Sequence, residues 1–563
     1  MKKIIYSALL ALTAAGCLTS CEDMLDTSSE GYVFDKDHTL ASANDSLYSA
    51  IGILTQLQAL GERYVLFGEL RGDLVEVSTS APVDLQSLSR FEPLSEGGAV
   101  IGARRDYYSV INNCNVALDR MDVSITEHGV QVMLPEYAAI RTLRDWTLMQ
   151  LALTYGSASF TEEPILDVEH AEQTAPAVGL DQLVGKLIAD LEPYADVKTP
   201  NYGSIDGQAS NRFFIRPALL LADLYLYNGN YAQAAEMYYK VMREDGYTVS
   251  YENANTWTTS VRTESVVSHI NTYSQEVVAN IPYASDAKKY HPDLVNLTYN
   301  AKASILPAAW FVNDMNAAQH YHIDRQGITN ISGYLEGDLR GMLTDREGKS
   351  TASAFGPVTA DGVNGETMIT KYASNGTLYS AVGNPENPLM EEGAILTRSV
   401  ALYRIPHLYL RYAEAANRAG KPSLAFAVLK YGLRKEIVED ETKVDPDELA
   451  DNLEWTNFTE PMFDANYGTA MRGRGLGIAV EAADYVLPAE ATQTERIEWV
   501  EERILEELAS ETCFEGNRFF DLLRISRHRA DHPTFMARKV ARRFDNPAEI
   551  EARLADVSHL WVR

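Results

Sequence analysis

Two stretches of this chain carry the same small-residue spacing, and that spacing confines both to tight helical hairpins. Between Pro217 and Met242, the residues Ala222, Tyr225, Gly229, Ala234 and Tyr238 fall at the spacing of a tetratricopeptide helix pair. Ala222 lets two helices approach closely, Gly229 opens the turn, and Ala234 lets the second helix pack back on the first. The frame recurs 191 residues later, where Ala413, Ala416, Gly420, Ala425 and Leu429 take the equivalent places. Repeats so far apart are not expected to stack as a consecutive solenoid. The residues between them are expected to form something else on one side of a helical layer.

The rest of the chain fits one large body. A first helical block runs from about Ala41 to Tyr155, and in it Tyr137, Ile140, Leu148, Leu151 and Tyr155 recur at helical spacing with Arg144 on the same stripe. Gly156 follows in the position where a helix ends left-handed. From about 250 to 397 the periodicity fades into a stretch rich in Gly, Asn, Ser and Thr, with strand-like pieces such as Ser265-Val266-Val267-Ser268. No Gly/Ser-rich linker separates this insert from its flanks, so the 563 residues read as a helical scaffold (41–249 and 398–563) carrying a loop-rich insert (250–397). The expected fold class is mostly α, tetratricopeptide-like, with short strands in the insert. Loops on a rigid scaffold are where binding residues concentrate, which makes the insert the expected ligand face.

The N-terminus points to a compartment. Lys2 and Lys3 precede an apolar run, Ile4 to Ala15, that is shorter than the roughly 20 residues needed to span a bilayer. Leu18-Thr19-Ser20-Cys21 follows as a lipobox-like site, with Ala14-Ala15-Gly16-Cys17 as the competing match. Leu18 and the polar run Glu22 to Asp26 favour Cys21. Residues 1–20 are then a lipoprotein signal peptide, 21–40 a lipidated tether, and 41–563 the folded domain. Two or more acyl chains give stable attachment without a membrane-spanning segment. Removing Lys2 and Lys3 takes the formal charge from -30 to -32, with 47 basic against 79 acidic residues. Such acidity keeps a protein soluble and excludes nucleic acid, which needs clustered cations to neutralise phosphate. Cys114 and Cys513 lie far apart within helical patterns and read as buried free thiols.

Catalytic constellations are scarce. The chain has no H-E-x-x-H, G-x-S-x-G, P-loop or EF-hand loop. Gly473 to Gly477 reads as a surface turn, and Gln319-His320-Tyr321-His322, which lacks an evident third metal ligand, as a polar loop. No cofactor and no metal is expected. Binding chemistry is better represented, because aromatic faces stack on the CH surfaces of sugar rings while amides and carboxylates bond the hydroxyls. Within the insert, Trp257, Tyr273, Tyr283, Tyr290, Tyr299 and Trp310 are the candidates. A basic tract of Arg524, Arg527, Arg529, Arg538, Lys539, Arg542 and Arg543 is expected to neutralise nearby carboxylates.

Glu507, Glu511 and the run Phe514-Glu515-Gly516-Asn517-Arg518-Phe519-Phe520-Asp521-Leu522-Leu523-Arg524 resemble the signature of the SusD/RagB family of nutrient-binding outer-membrane lipoproteins. Its second half matches throughout, whereas Leu508 and Thr512 stand where the family has Arg and Leu, which implies a missing charge pair. Tyr107 to Met121, Arg144 to Gly156, Gly337-Asp338-Leu339-Arg340, Lys371-Tyr372, Tyr409 to Ala416 and Cys21 to Asp26 also resemble the family, in its order. The signature itself reads as architecture, with Gly516 a tight break and Glu515 within reach of Arg518.

The resemblance implies a non-enzymatic surface lipoprotein of the outer membrane, partnered by a SusC-like TonB-dependent transporter and capturing oligosaccharide for import. It also implies that the loop after Glu69-Leu70-Arg71-Gly72-Asp73 contributes to the ligand face. That loop, Val75 to Gly97, offers Arg90 and Phe91 but no Trp or Tyr, which leaves oligopeptide as the alternative ligand. A lipid-anchored hydrolase is the less favoured alternative. Because acylation needs the thiol, Cys21→Ala is expected to release the protein from membranes while Cys17→Ala does not; labelled fatty acid retained on the Cys21 variant would reverse the assignment.

Overall fold

A computed structural model describes residues 43–94, 104–172, 175–250, 276–286, 288–299, 302–322, 334–344, 348, 350–357, 365–372, 397, 399–475 and 485–563. Cys21, Trp257 and Tyr273 lie outside them. The chain enters on α1 (Ala43–Leu70), followed by a short strand β1 (Val75–Val77), α2 (Arg104–Arg120), α3 (Leu134–Tyr155), α4 (Leu180–Leu191), α5 (Pro217–Asn228) and α6 (Tyr231–Asp245). From α2 onward each helix packs against the next, while α1 lies against α2 and α3. Nearly every residue of α3 after its first turn is buried, and Gly156 closes it in the left-handed conformation.

The two hairpins form as the spacing requires. Gly229 and Gly420 both adopt left-handed backbone, and Ala222, Ala234, Ala413, Ala416 and Ala425 are fully buried where the helices meet. The second hairpin is α7 (Ile405–Arg418) and α8 (Pro422–Lys430). Contrary to expectation, it does stack on the first, because α6 packs directly against α7. Strand pairing makes this possible. β2 (Val277–Pro282) pairs antiparallel with β10 (Ser399–Arg404), running from Val277 opposite Arg404 to Pro282 opposite Ser399. The ends of the insert are thereby clamped together, and β10 leads straight into α7, so the helical row resumes where it stopped. Both strands are buried almost throughout, and both are mainly apolar, with Asn280 interrupting the first.

Between these ends the insert builds small antiparallel sheets. β3 (Ile305–Pro307) pairs with β1, and β4 (His320–His322), β5 (Tyr334–Gly337), β6 (Met342–Thr344) and β7 (Ser350–Ala352) form one sheet in sequence order. β8 (Phe355–Pro357) pairs with β9 (Thr367–Ile369). The polar loop expected at Gln319 to His322 is thus partly a strand, held by Tyr321, which is buried against Leu339 and Leu343. The C-terminal helices α9 (Gln493–Glu511), α10 (Arg518–Arg527), α11 (Thr534–Ala541) and α12 (Pro547–Leu554) complete the layer, with α9 against α7 and α8 and α10 against α1.

Scaffold and insert are joined by buried charge. Glu507 and Glu511 share one face of α9, and Glu515 follows in the break before α10. Arg404 Nη1 donates to Glu511 at 3.0 Å and to Glu276 at 3.2 Å, and its Nε donates to Glu515 at 2.9 Å. Arg340 Nη1 reaches Glu507 at 3.0 Å and Glu511 at 3.1 Å while its Nη2 donates to Asp338 at 2.7 Å. Lys371 lies 2.6 Å from Glu515, Arg472 bonds Glu276, and Arg474 bonds Glu507. Burial opposes ionisation of Glu511, but Arg472, Arg404 and Arg340 outweigh it and hold the carboxyl well below its usual range. The expected pair between Glu515 and Arg518 does not form. Arg518 instead donates to Asp73 at 2.6 Å, pinning α10 to the end of α1. Leu508 is a core residue, and cations from distant segments supply the charge that the local sequence lacks.

Three glycines are needed for this junction. A Cβ on Gly473 would lie 2.3 Å from Asp338 Oδ1, so Gly473 is a packing site within the network and not the expected surface turn. Gly516, at φ +90, meets Gly68 of α1 so closely that a Cβ on Gly68 would lie 1.7 Å from the Gly516 carbonyl oxygen. Cys114 and Cys513 are buried and unpaired, their thiols pushed up to about 12 by burial. Most of the basic tract is matched locally: Arg524 pairs with Glu414, Arg527 with Asp181, Arg529 with Glu501, Arg538 with Asp531, Lys539 with Glu502 and Arg542 with Asp73.

Arg404→Met is expected to remove a cation shared by Glu276, Glu511 and Glu515 and cost about 3 to 5 kcal/mol in chemical denaturation, the usual penalty for breaking a buried charge group from one side. Glu69 gives a separate, pH-dependent test. Its Oε1 accepts the Gly516 amide at 2.8 Å while Oε2 has no partner among the described residues. Burial pushes its carboxyl from 4.5 up to about 7, against the pull of that amide, Lys371 and Arg518. Because the folded pKa is raised, the stability this group contributes is complete below about 4.5 and is lost as pH rises through 7. Glu69→Gln is expected to flatten the loss across that window and to be the more stable protein at pH 8, by up to about 3 kcal/mol.

Candidate functional site

The first half of α1 is half-covered, and its uncovered stripe forms the floor of a groove. Ala50, Ile53, Leu54 and Leu57 point into the core, whereas Ile51, Gly52, Thr55, Gln56 and Ala59 remain exposed. These two sets alternate at the helical period. α2 supplies one wall through Asp106, Ser109 and Asn113; Pro282 at the end of β2, with Tyr283, Ala284, Lys289 and Tyr290 after it, supplies the other. Ser49 to Ala59 spans about 15 Å of helix. Three cavities open beside it, arranged around the helix. A cleft of about 550 Å³ over Thr55, Gln56, Gln58 and Ala59 occupies the middle. A space of about 270 Å³ adjoins it at Gln56, and an apolar pocket of about 240 Å³ adjoins it at Thr55, Gln58 and Ala284.

Hydrogen bonds hold the walls in place. Gln58 Nε2 donates to the Pro282 carbonyl at 2.6 Å, and Tyr283 Oη donates to the Gln58 carbonyl at 3.0 Å, so the segment after β2 is stitched to α1 twice. Asn113 donates to Gln56, and Arg63 pairs with Asp106, fixing α2 on the other side. Tyr290 stands at the rim of the middle cleft with half its surface exposed. Its ring centroid lies 6.2 Å from that of Tyr283. Burial and the nearby Glu62 carboxyl push its hydroxyl up to about 12, so it stays a neutral phenol that both donates and accepts. Lys289 lies beside it. The cleft therefore offers an aromatic face, side-chain amides, hydroxyls and one flexible cation, a set suited to holding a polar, hydroxyl-rich molecule. Among the described residues there is no group of three or more metal-ligating side chains, and no helix is long and apolar enough to cross a membrane.

The ligand candidates named from sequence separate in space. Tyr290 reaches the cleft. Tyr283, although it backs the wall, is 1 % exposed, and this corrects its reading as a ligand-facing ring: its hydroxyl end fills the space above the bare Cα of Gly61. Tyr299 is likewise buried. Trp310 donates its indole N–H to the Asp73 carbonyl and has the Arg542 guanidinium 3.2 Å above its ring centre, so one face is already stacked. Arg90 is exposed at the end of the short helix Val83–Ser89, where its carbonyl accepts from Arg553; it lines none of the three cavities. Thr55, Gln56 and Gln58 were not singled out from sequence. Their signal is a polar and small stripe, Gly52, Thr55, Gln56 and Ala59, on a helix otherwise rich in Leu and Ile.

No protein-family model matches the chain, and no curated protein does. Solved structures do. A SusD superfamily protein from Bacteroides vulgatus is similar at TM-score 0.55 and 14% identity, covering 91% of this chain and 93% of its own. A SusD superfamily protein from Bacteroides thetaiotaomicron gives 0.53 at 15% identity, covering 92% and 94%. Surface glycan-binding protein A from Bacteroides fluxus gives 0.52 at 17% identity, covering 93% of each chain. The chain thus shares its overall fold with these solved SusD superfamily structures.

Proposed function

We propose that this chain is a surface-exposed, lipid-anchored protein of the outer membrane that captures oligosaccharides, without catalysis, and passes them to a SusC-like TonB-dependent transporter. The observation that carries the reading is the α1 groove. It is long enough for several sugar rings, and it places the half-exposed Tyr290 ring opposite amide and hydroxyl side chains on a rigid helix. The fold adds support, since one protein that shares it is described as a surface glycan-binding protein. Function does not follow from fold alone, so the groove's chemistry is the stronger argument. Lipid at Cys21 would keep the protein at high effective concentration beside a membrane-embedded partner, so that modest affinity suffices for capture.

Calorimetry against a panel of neutral and acidic oligosaccharides tests the reading. Tyr290→Ala is expected to weaken binding about thirtyfold, the loss of about 2 kcal/mol typical of an aromatic hot spot, while leaving the melting temperature within error because the ring is half in solvent. Unchanged affinity in the folded variant would move the site elsewhere. Oligopeptides binding where no oligosaccharide does would replace the ligand class.

A further inference from the structure

The apolar pocket at one end of the groove is not sugar-like, and its position specifies more about the ligand. Its walls come from Ile51 and Leu54 of α1, from Phe213 and Phe214 ahead of α5, and from Tyr202. Tyr202 and Phe214 meet edge to face with ring centres 6.3 Å apart, and Tyr202 is held by a hydrogen bond from its hydroxyl to Glu136. The one charged side chain on its lining, Asp206, is turned away: its carboxylate accepts from the amide and hydroxyl of Ser285 at 2.6 and 2.7 Å. At about 240 Å³ the pocket exceeds an apolar cavity of about 150 Å³ that suffices for benzene. It shares Thr55, Gln58 and Ala284 with the middle cleft. Ile51 and Thr55 are one helical turn apart, about 6 Å, roughly the length of one sugar residue.

Resting on the reading of the groove as a glycan site, we propose that the preferred ligand is an oligosaccharide bearing an uncharged aryl substituent, with the sugar in the middle cleft and the ring in the apolar pocket. A hydroxyl-rich ring placed among Ile51, Leu54, Phe213 and Phe214 would lose water without recovering hydrogen bonds, whereas an aryl ring gains by the same burial. Edge-to-face packing on Tyr202, which is only partly buried, favours a flat aromatic group over a plain aliphatic one.

The test compares methyl with phenyl glycosides of β-glucose, β-xylose, β-galactose and α-mannose, alongside phenol alone, by saturation-transfer NMR titration on the full mature chain. At least one phenyl glycoside is expected to bind about tenfold more tightly than its methyl partner. Ile51→Gln, on a residue already more than one-third exposed, should bring the ratio of phenyl to methyl glycoside affinity close to one. Tyr290→Ala should weaken both. Methyl and phenyl glycosides binding equally would overturn the aryl assignment while leaving the glycan reading in place. Phenol binding as tightly as the phenyl glycosides would also overturn it, because the pocket would then act independently of the cleft. Absence of binding by every glycoside would overturn the glycan reading and this inference with it.

Discussion

The fold depends on carboxylates that its C-terminal helices bring into the core. Glu507, Glu511 and Glu515 stand in a row, and the cations that neutralise them come from four separate places: Arg340 beside β5, Lys371 after β9, Arg404 at the end of β10, and Arg472 with Arg474 ahead of α9. None of these groups is stable there alone, since the cost of burying one unpaired charge exceeds what neighbouring apolar contacts return. The native arrangement therefore needs Arg340 and Lys371 of the insert in register with the C-terminal carboxylates. Apolar packing would accept several arrangements of small sheets against a helical layer, whereas this charge pattern accepts few. The Gly68 and Gly516 contact and the Gly473 approach serve the same junction by letting backbone and ions come close.

That rigidity matters at the groove. α1 is anchored at its far end by Glu69 to the Gly516 amide, by the packing of Gly68 and by Asp73 to Arg518 and Arg542. Its first half is therefore a fixed rail, on which Thr55, Gln56 and Gln58 keep their spacing. Pre-set side chains reduce what must be ordered when a ligand binds. The wall opposite α2 is the first part of the insert after β2, so the same strand pairing that restores the helical row also positions Tyr290.

Much of the scaffold was legible in the sequence because it is local. The two hairpins follow from Ala and Gly at fixed offsets, and α3 from apolar residues at helical period ending at Gly156. The architectural role of the Glu515 to Arg524 run was legible from its composition, but its partners were not. Arg404 and Lys371 lie more than a hundred residues from Glu515, and no spacing rule joins them. The stacking of the hairpins was misjudged for the same reason, as nothing local marks Val277–Pro282 and Ser399–Arg404 as a pair. At the site, residue type suggested aromatic candidates without deciding exposure. Tyr283 and Tyr290 are seven residues apart, yet one is buried because Gly61 leaves room for it and the other stands at the rim.

The pairing of β2 with β10 also governs what this chain can tolerate as it diverges. Once the two ends of an excursion are held together, the entropy of closing it grows only with the logarithm of its length, at about 0.6 kcal/mol per doubling. Lengthening or rebuilding the segment between the clamped ends thus costs the helical row little, provided Arg340 and Lys371 still reach their carboxylates. The solved structures share the fold at 14 to 17% identity, so it tolerates wide change of sequence.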